Sequence, residues 1–223
     1  MNTVVQTSFA AQVARCALAL LASVGVAATL SRSVALAQNQ SRGASVSGEV
    51  SPSPTGRIPE MVVYLESAAP GTQYDAPKQP IIVSQKGAQF APSLIVVQVG
   101  STVSFANDED TAIEHNVYSK SDAKPFDLGL YKPGVARDVT FDKAGPIHLM
   151  CSIHKQMNGH IFVAPSPFFA RVIDGKFTIE NVPPGKYELK TWQRTPRFLE
   201  TSQPITVGDG PLAGVRVDLK RSE

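Results

Sequence analysis

The chain of 223 residues carries 21 Lys and Arg against 19 Asp and Glu, and has only two cysteines. Its length suggests more than one domain, and its near-neutral balance gives no reason to expect nucleic acid or an anionic membrane as partner. Two cysteines leave no disulfide framework to build on.

Residues 1–37 read as an export signal. Arg15 closes an acid-free start, residues 16–30 are apolar, and Ala35-Leu36-Ala37 is an A-x-A cleavage site ahead of Gln38. The apolar run of about 15 residues is short of the roughly 20 that cross a membrane, so cleavage is expected and no span in the mature chain, with an uncleaved anchor as the weaker alternative. Cys16 precedes the apolar run, unlike a lipoprotein cysteine. Without Arg15 and Arg32 the 21 basic residues fall to the number of the 19 acidic ones. Only Cys151 then remains, and an exported chain without an internal disulfide must fold by its core alone. A periplasmic or otherwise exported destination is implied.

The mature part shows no sustained 3.6-residue period. Apolar residues alternate in short runs broken by Gly, Pro, Asn and Asp, which predicts an all-β sandwich architecture. The runs are 46–50, 61–65, 81–83, 94–99, 103–105, 135–141, 147–151, 160–163, 177–179, 187–192, 205–207 and 215–219. Segments 67–80 and 164–167 read as linkers. No Gly-rich phosphate loop, paired metalloprotease histidines or G-x-S-x-G elbow occurs.

Asn107-Asp108-Glu109-Asp110 is an acidic run that reads as a solvated loop, with a docking patch for a basic redox partner as the sharper alternative. His115 opens the strand-like Glu114-His115-Asn116-Val117. Phe126-Asp127-Leu128-Gly129-Leu130-Tyr131-Lys132-Pro133-Gly134 reads as a tight surface turn with a packed Phe and Leu, ahead of a loop over an apolar shell. Cys151-Ser152-Ile153-His154-Lys155-Gln156-Met157 then places a thiolate, an imidazole and a thioether at spacing C-x₂-H-x₂-M, in a loop short enough to aim all three at one point. His148 falls on the strand face opposite Cys151. It and His160 are expected as surface or core histidines, and Trp192 as a core residue.

A copper centre that moves electrons uses a thiolate and two imidazoles in a trigonal arrangement with a long thioether contact. The loop lacks one imidazole, and His115 is the obvious donor. Other readings are a buried thiol beside a satisfied histidine, a nucleophile with its base, which spacing alone does not diagnose, and zinc. Structural zinc takes four strong Cys and His ligands and no thioether, so copper is favoured. A lone exported thiol is also open to oxidation unless something occupies it.

From about residue 81 to 165 the chain resembles the cupredoxins, the small blue copper proteins, and most closely the amicyanin and plastocyanin-like branch with its short C-x₂-H-x₂-M loop. Phe90-Ala91-Pro92, Val99-Gly100-Ser101-Thr102-Val103-Ser104-Phe105-Ala106-Asn107-Asp108, His115-Asn116-Val117 and Gly145-Pro146-Ile147-His148-Leu149-Met150-Cys151 follow that family's order. The resemblance implies a cupredoxin Greek-key β-sandwich and one type 1 copper. His115, Cys151 and His154 would be its equatorial ligands and Met157 the axial one. Asn116 would hydrogen-bond across to the Cys loop from the outer shell, where such bonds orient ligands.

Asp174-Gly175-Lys176-Phe177-Thr178-Ile179-Glu180-Asn181-Val182-Pro183-Pro184-Gly185-Lys186-Tyr187-Glu188-Leu189 resembles the carboxypeptidase regulatory-like module, a smaller transthyretin/Ig-like β-sandwich that is normally non-catalytic. Arg171-Val172-Ile173 stands where that family usually has Thr-Asp before the hairpin. Asp174-Gly175 suits a tight turn at positive φ. Gly48-Glu49-Val50 and Met61-Val62-Val63-Tyr64-Leu65 resemble the module's opening. Residues 44–67 are therefore expected to be its first strands, with the 81–165 domain inserted ahead of its remainder, 168–223. The alternative makes 44–67 the first strands of the copper domain. The combination resembles multidomain methylamine utilisation-type proteins.

The function this implies is an exported electron carrier and not an enzyme. The edge of His154 would meet a redox partner of cytochrome or dehydrogenase type, with Lys155 helping to orient it through a small interface. Alternatives are copper storage or delivery, and a cell-envelope adhesion or carbohydrate-binding module. One compact site differs from the Met- or His-rich tracts of a copper sponge, and four histidines cannot furnish a multicopper oxidase.

Overall fold

The computed structural model describes residues 43–53 and 56–221; the expected export signal lies outside them. The described residues contain strands and no helix, hence no helix long and apolar enough to cross a membrane. In chain order the strands are β1 (Ala44–Ser53), β2 (Met61–Ser67), β3 (Ile81–Lys86), β4 (Gln89–Ala91), β5 (Leu94–Gln98), β6 (Thr102–Asn107), β7 (Tyr118–Ser119) and β8 (Phe126–Asp127). There follow β9 (Ala136–Thr140), β10 (Gly145–Met150), β11 (Asn158–Ala164), β12 (Phe169–Arg171), β13 (Lys176–Val182), β14 (Gly185–Gln193), β15 (Ser202–Val207) and β16 (Leu212–Lys220).

Four sheets result, ordered β4-β3-β6-β9, β5-β11-β10-β7-β8, β13-β1-β16 and β12-β2-β14-β15. Alternation along the strands sends every second side chain inward, so the first two sheets close on one core. Val83, Val103 and Phe105 lie on one side of it, and Val97, Ile147, Leu149 and Ile161 on the other. The other two sheets close on a second core that includes Val46, Leu65, Ile179, Leu189 and Val217. The protein is all-β, with two sandwiches.

β1 pairs antiparallel with β13 and parallel with β16, and β2 lies between β12 and β14. Strands 44–67 thus share sheets with strands that follow the whole β3–β11 sandwich. The Asp174-Gly175 pair makes the expected two-residue turn: φ is +50° and +75°, and Ile173 and Lys176 exchange two backbone bonds of 2.9 Å.

β2 and β11 carry unbroken apolar runs because both of their faces are covered. Met61, Val63 and Leu65 enter one core, and Ile161 and Val163 the other. The opposite faces, with Val62, Tyr64, Phe162 and Ala164, meet each other together with Leu94 and Trp192. Phe162 stacks on Trp192 with centroids 4.9 Å apart, and Tyr64 lies 5.0 Å from Phe162. Trp192 is therefore buried in the seam between sandwiches, not inside either. Outside that seam, His148 of β10 faces solvent and stacks on His160, its register partner, at 4.7 Å.

Candidate metal centre

Two stretches at one end of the β3–β11 sandwich build the site. After β6, the buried amide of Asn107 donates to the carbonyls of Ile113 and Tyr131, both at 3.0 Å, and so pins the base of the loop before His115. His115 then exchanges backbone bonds of 3.2 and 2.9 Å with Tyr131. The second stretch is the hairpin loop from β10 to β11, which closes where Met157 N–H donates to the His154 carbonyl at 2.8 Å.

His115, Cys151 and His154 each bring one ligand atom into a group whose members lie within 4.8 Å of one another. The two histidine Nδ1 atoms are 3.1 Å apart, and Cys151 Sγ lies 3.8 Å from His154 Nδ1. An ion bonded at about 2.0–2.3 Å to each of two such donors bridges up to about 4 Å between them, so one ion suits both separations. A thiolate with two imidazoles suits copper by donor softness. His115 and Cys151 are buried and His154 is partly exposed. Met157 is 1% exposed and shares a packed cluster with Cys151. Lys155 is exposed, and Ile153 beside His154 is half exposed.

Asn116, next to His115, reaches the other stretch. Its Oδ1 accepts from Ser152 N–H at 2.7 Å and from Ser152 Oγ at 2.9 Å. Its Nδ2 donates to Asp127 Oδ1 at 3.1 Å.

The acidic run departs from a solvated loop. Asn107 is fully buried, and the Glu109 side chain, 8% exposed, turns inward to place Oε1 2.8 Å from His115 Nε2. Ala88 N–H also donates to that oxygen, at 3.2 Å. A carboxylate only accepts, so Nε2 carries the proton and Nδ1 is left bare toward His154. The bond from His115 holds the Glu109 carboxyl below the usual carboxylate range, against the opposing effect of burial. Asp108 and Asp110 do face solvent, the latter paired with Lys86 at 2.8 Å. Sequence reasoning missed Glu109 because nothing local separates an inward-turned acid from its solvated neighbours.

Burial pushes the Tyr131 phenol up to about 12, and its hydroxyl donates to the Phe105 carbonyl at 3.2 Å. The residue whose backbone carries His115 is thereby locked into the core.

Residues 80–164 match the copper binding proteins of the plastocyanin/azurin family, so this span carries a cupredoxin domain. Solved structures similar to part of the chain include a copper-containing nitrite reductase from Thermus scotoductus SA-01, with 28% identity over 44% of this chain and 25% of that one, TM-score 0.37. The chain thus spans about a quarter of that enzyme's length. A purple cupredoxin from Nitrosopumilus maritimus shows 22% identity over 38% of this chain and 99% of its own, TM-score 0.34. An amicyanin mutant in its oxidised state shows 23% identity over 45% and 91%, TM-score 0.35. No curated protein matches the chain.

Proposed function

We propose that the protein is an exported carrier of single electrons with one type 1 copper site, in which His115, Cys151 and His154 are the close ligands and Met157 the weak one. The observation that carries this reading is the convergence of a thiol and two imidazoles, with Nδ1 atoms 3.1 Å apart, inside a span that matches a copper-binding family. Bound copper would supply the Cu(II)/Cu(I) couple, with no substrate at the metal.

The chain's own residues do the rest. Glu109 fixes the tautomer of His115, and Asn116 ties the His115 strand to the Cys151 loop, so the donors keep their places through a change of charge. Burial of His115, Cys151 and Met157 keeps water from the site. His154, the partly exposed member, is the exit toward a redox partner of cytochrome or dehydrogenase type, flanked by Ile153 and Lys155. The pairing of β1 and β2 with β12–β16 supports a regulatory-like, transthyretin-type host sandwich into which the copper sandwich is inserted. The leader at 1–37 supports a periplasmic or otherwise exported location.

The test is the visible spectrum of residues 38–223 titrated with Cu(II). An intense thiolate-to-copper band that a mild reductant bleaches reversibly is the expected result. Copper bound without such a band, or not bound, would remove the electron-carrier reading.

A further inference from the structure

Residues 126–131 touch both ligand stretches. Through its backbone, Tyr131 holds His115. Through its side chain, Asp127 meets Asn116, which meets the Cys151 loop. We propose that Asp127 is a positioning residue, which orients the Asn116 amide and through it the Cys151 thiol. Its effect on copper rests on the function proposed above; its effect on the thiol of the metal-free protein does not.

The argument turns on the two ends of one amide. Asn116 has to present oxygen to Ser152, because Ser152 N–H is a donor and a flipped amide would set donor against donor. The Ser152 N–H belongs to the peptide unit that begins at the Cys151 carbonyl, so the 2.7 Å bond to Asn116 Oδ1 fixes that plane and the direction of the thiol above it. Asp127 makes the flip unfavourable from the other end. Its carboxylate oxygen is an acceptor, and Oδ1 lies 3.1 Å from Asn116 Nδ2. The same Oδ1 accepts from Gly129 N–H at 2.8 Å, in a turn where Gly129 sits at φ +65°. β8 is further held by the Tyr118–Asp127 register with β7 and by Leu128 N–H donating to the Val117 carbonyl at 2.9 Å. The carboxylate is thus placed by a braced frame. Asp127 itself is exposed, so water competes for its bond and the effect is smaller than loss of Asn116.

The test uses residues 38–223 with Asp127→Ala, Asp127→Asn and Asp127→Ser, each in the native and the Asn116→Ala background. Two quantities are read: the rate at which a disulfide reagent takes Cys151 in the metal-free protein, and the copper affinity and charge-transfer band of the loaded one. Asp127→Ala is expected to raise the thiol rate and to lower copper affinity by up to about tenfold, the low end for partners bonded directly to a ligand. Asp127→Asn keeps an acceptor oxygen and should stay within about twofold of native. Asp127→Ser can keep a turn bond to Gly129 but ends short of Asn116, so it should behave as the alanine variant does; it carries the test if alanine prevents folding. In the Asn116→Ala background none of these changes should add anything. Native thiol rate and band in both Asp127→Ala and Asp127→Ser would overturn the proposal. So would an equal effect in the two backgrounds, which would reduce Asp127 to a turn residue. If the native protein takes no copper while the thiol rates follow this order, the positioning role stands and the electron-carrier reading falls.

Discussion

Glu109→Ala should weaken both the metal-free fold and the metal site, by amounts that can be worked separately. His115 is fully buried, and Glu109 is the partner of its Nε2 at 2.8 Å. Truncation leaves a buried N–H unpaired, at a cost of about 1–3 kcal/mol. With a urea dependence of about 1–3 kcal/mol per molar, the unfolding midpoint of the metal-free protein should drop by roughly 1 M. If His115 ligates the metal as proposed, loss of its outer partner should lower affinity about 10–100-fold, or roughly 1.4–2.8 kcal/mol. Glu109→Gln keeps an acceptor oxygen and should retain most of the stability. It removes a negative neighbour of the oxidised metal and should therefore raise the reduction potential. Urea melts, chelator competition and voltammetry read the three effects. An alanine variant with native midpoint and native copper affinity would refute the claim that this carboxylate holds His115.

Cys151→Ser should abolish the thiolate-to-copper band; an intact band would remove Cys151 from the ligand set. Met157→Leu conserves volume at a buried site and should cost less than about 1.5 kcal/mol, leaving copper bound with a shifted potential; an unchanged potential would exclude an axial role. His160 gives the pH dependence. Burial first, then Arg194 and His148, push it down to about 4 from 6.5, with Glu60 opposing. The unfolded chain takes up this proton first as pH falls, so the contribution is full above about 6.5 and lost toward 4. After allowance for solvent at this partly exposed ring it is about 1–2 kcal/mol. Urea midpoints at pH 7 and 4.5 should show a smaller drop in His160→Gln than in the native chain, and equal drops would refute the assignment. Trp192→Ala should cost about 3–5 kcal/mol and split thermal unfolding into two transitions as the seam opens. A single transition at the native temperature would show that the seam does not couple the sandwiches.

The alternating runs were legible in sequence because each has one face on a core; the strands β6 and β10 lie where their periodicity puts them. Strands β4, β7, β8 and β12 were not, since two or three residues cannot show a period. The run Met61-Val62-Val63-Tyr64-Leu65 is covered on both faces, and only the β3–β11 sandwich packed against it explains why Val62 and Tyr64 are apolar. At the site, Cys151 and His154 announce themselves by spacing. Glu109 and Asp127 do not, because their roles depend on long-range placement: one acid turns in beneath His115, the other reaches Asn116 from across a turn. Trp192 read as core and is buried, but against the neighbouring sandwich.

The chain leaves the β1–β2 part of its sandwich and comes back to it through one doorway. Leu65 N–H donates to the Phe168 carbonyl at 2.8 Å, and Ser166 Oγ bonds to the Leu65 carbonyl beside it. A body hung on two adjacent cords cannot spin as a body on one cord can, because each turn winds the cords together. With the seam of Val62, Phe162 and Trp192 packed between the two sandwiches, the β3–β11 body is therefore held at a set angle to its mount. The same arrangement gives it a spare tether: a protease that cuts within 68–80 severs one cord and leaves the body hanging from the other.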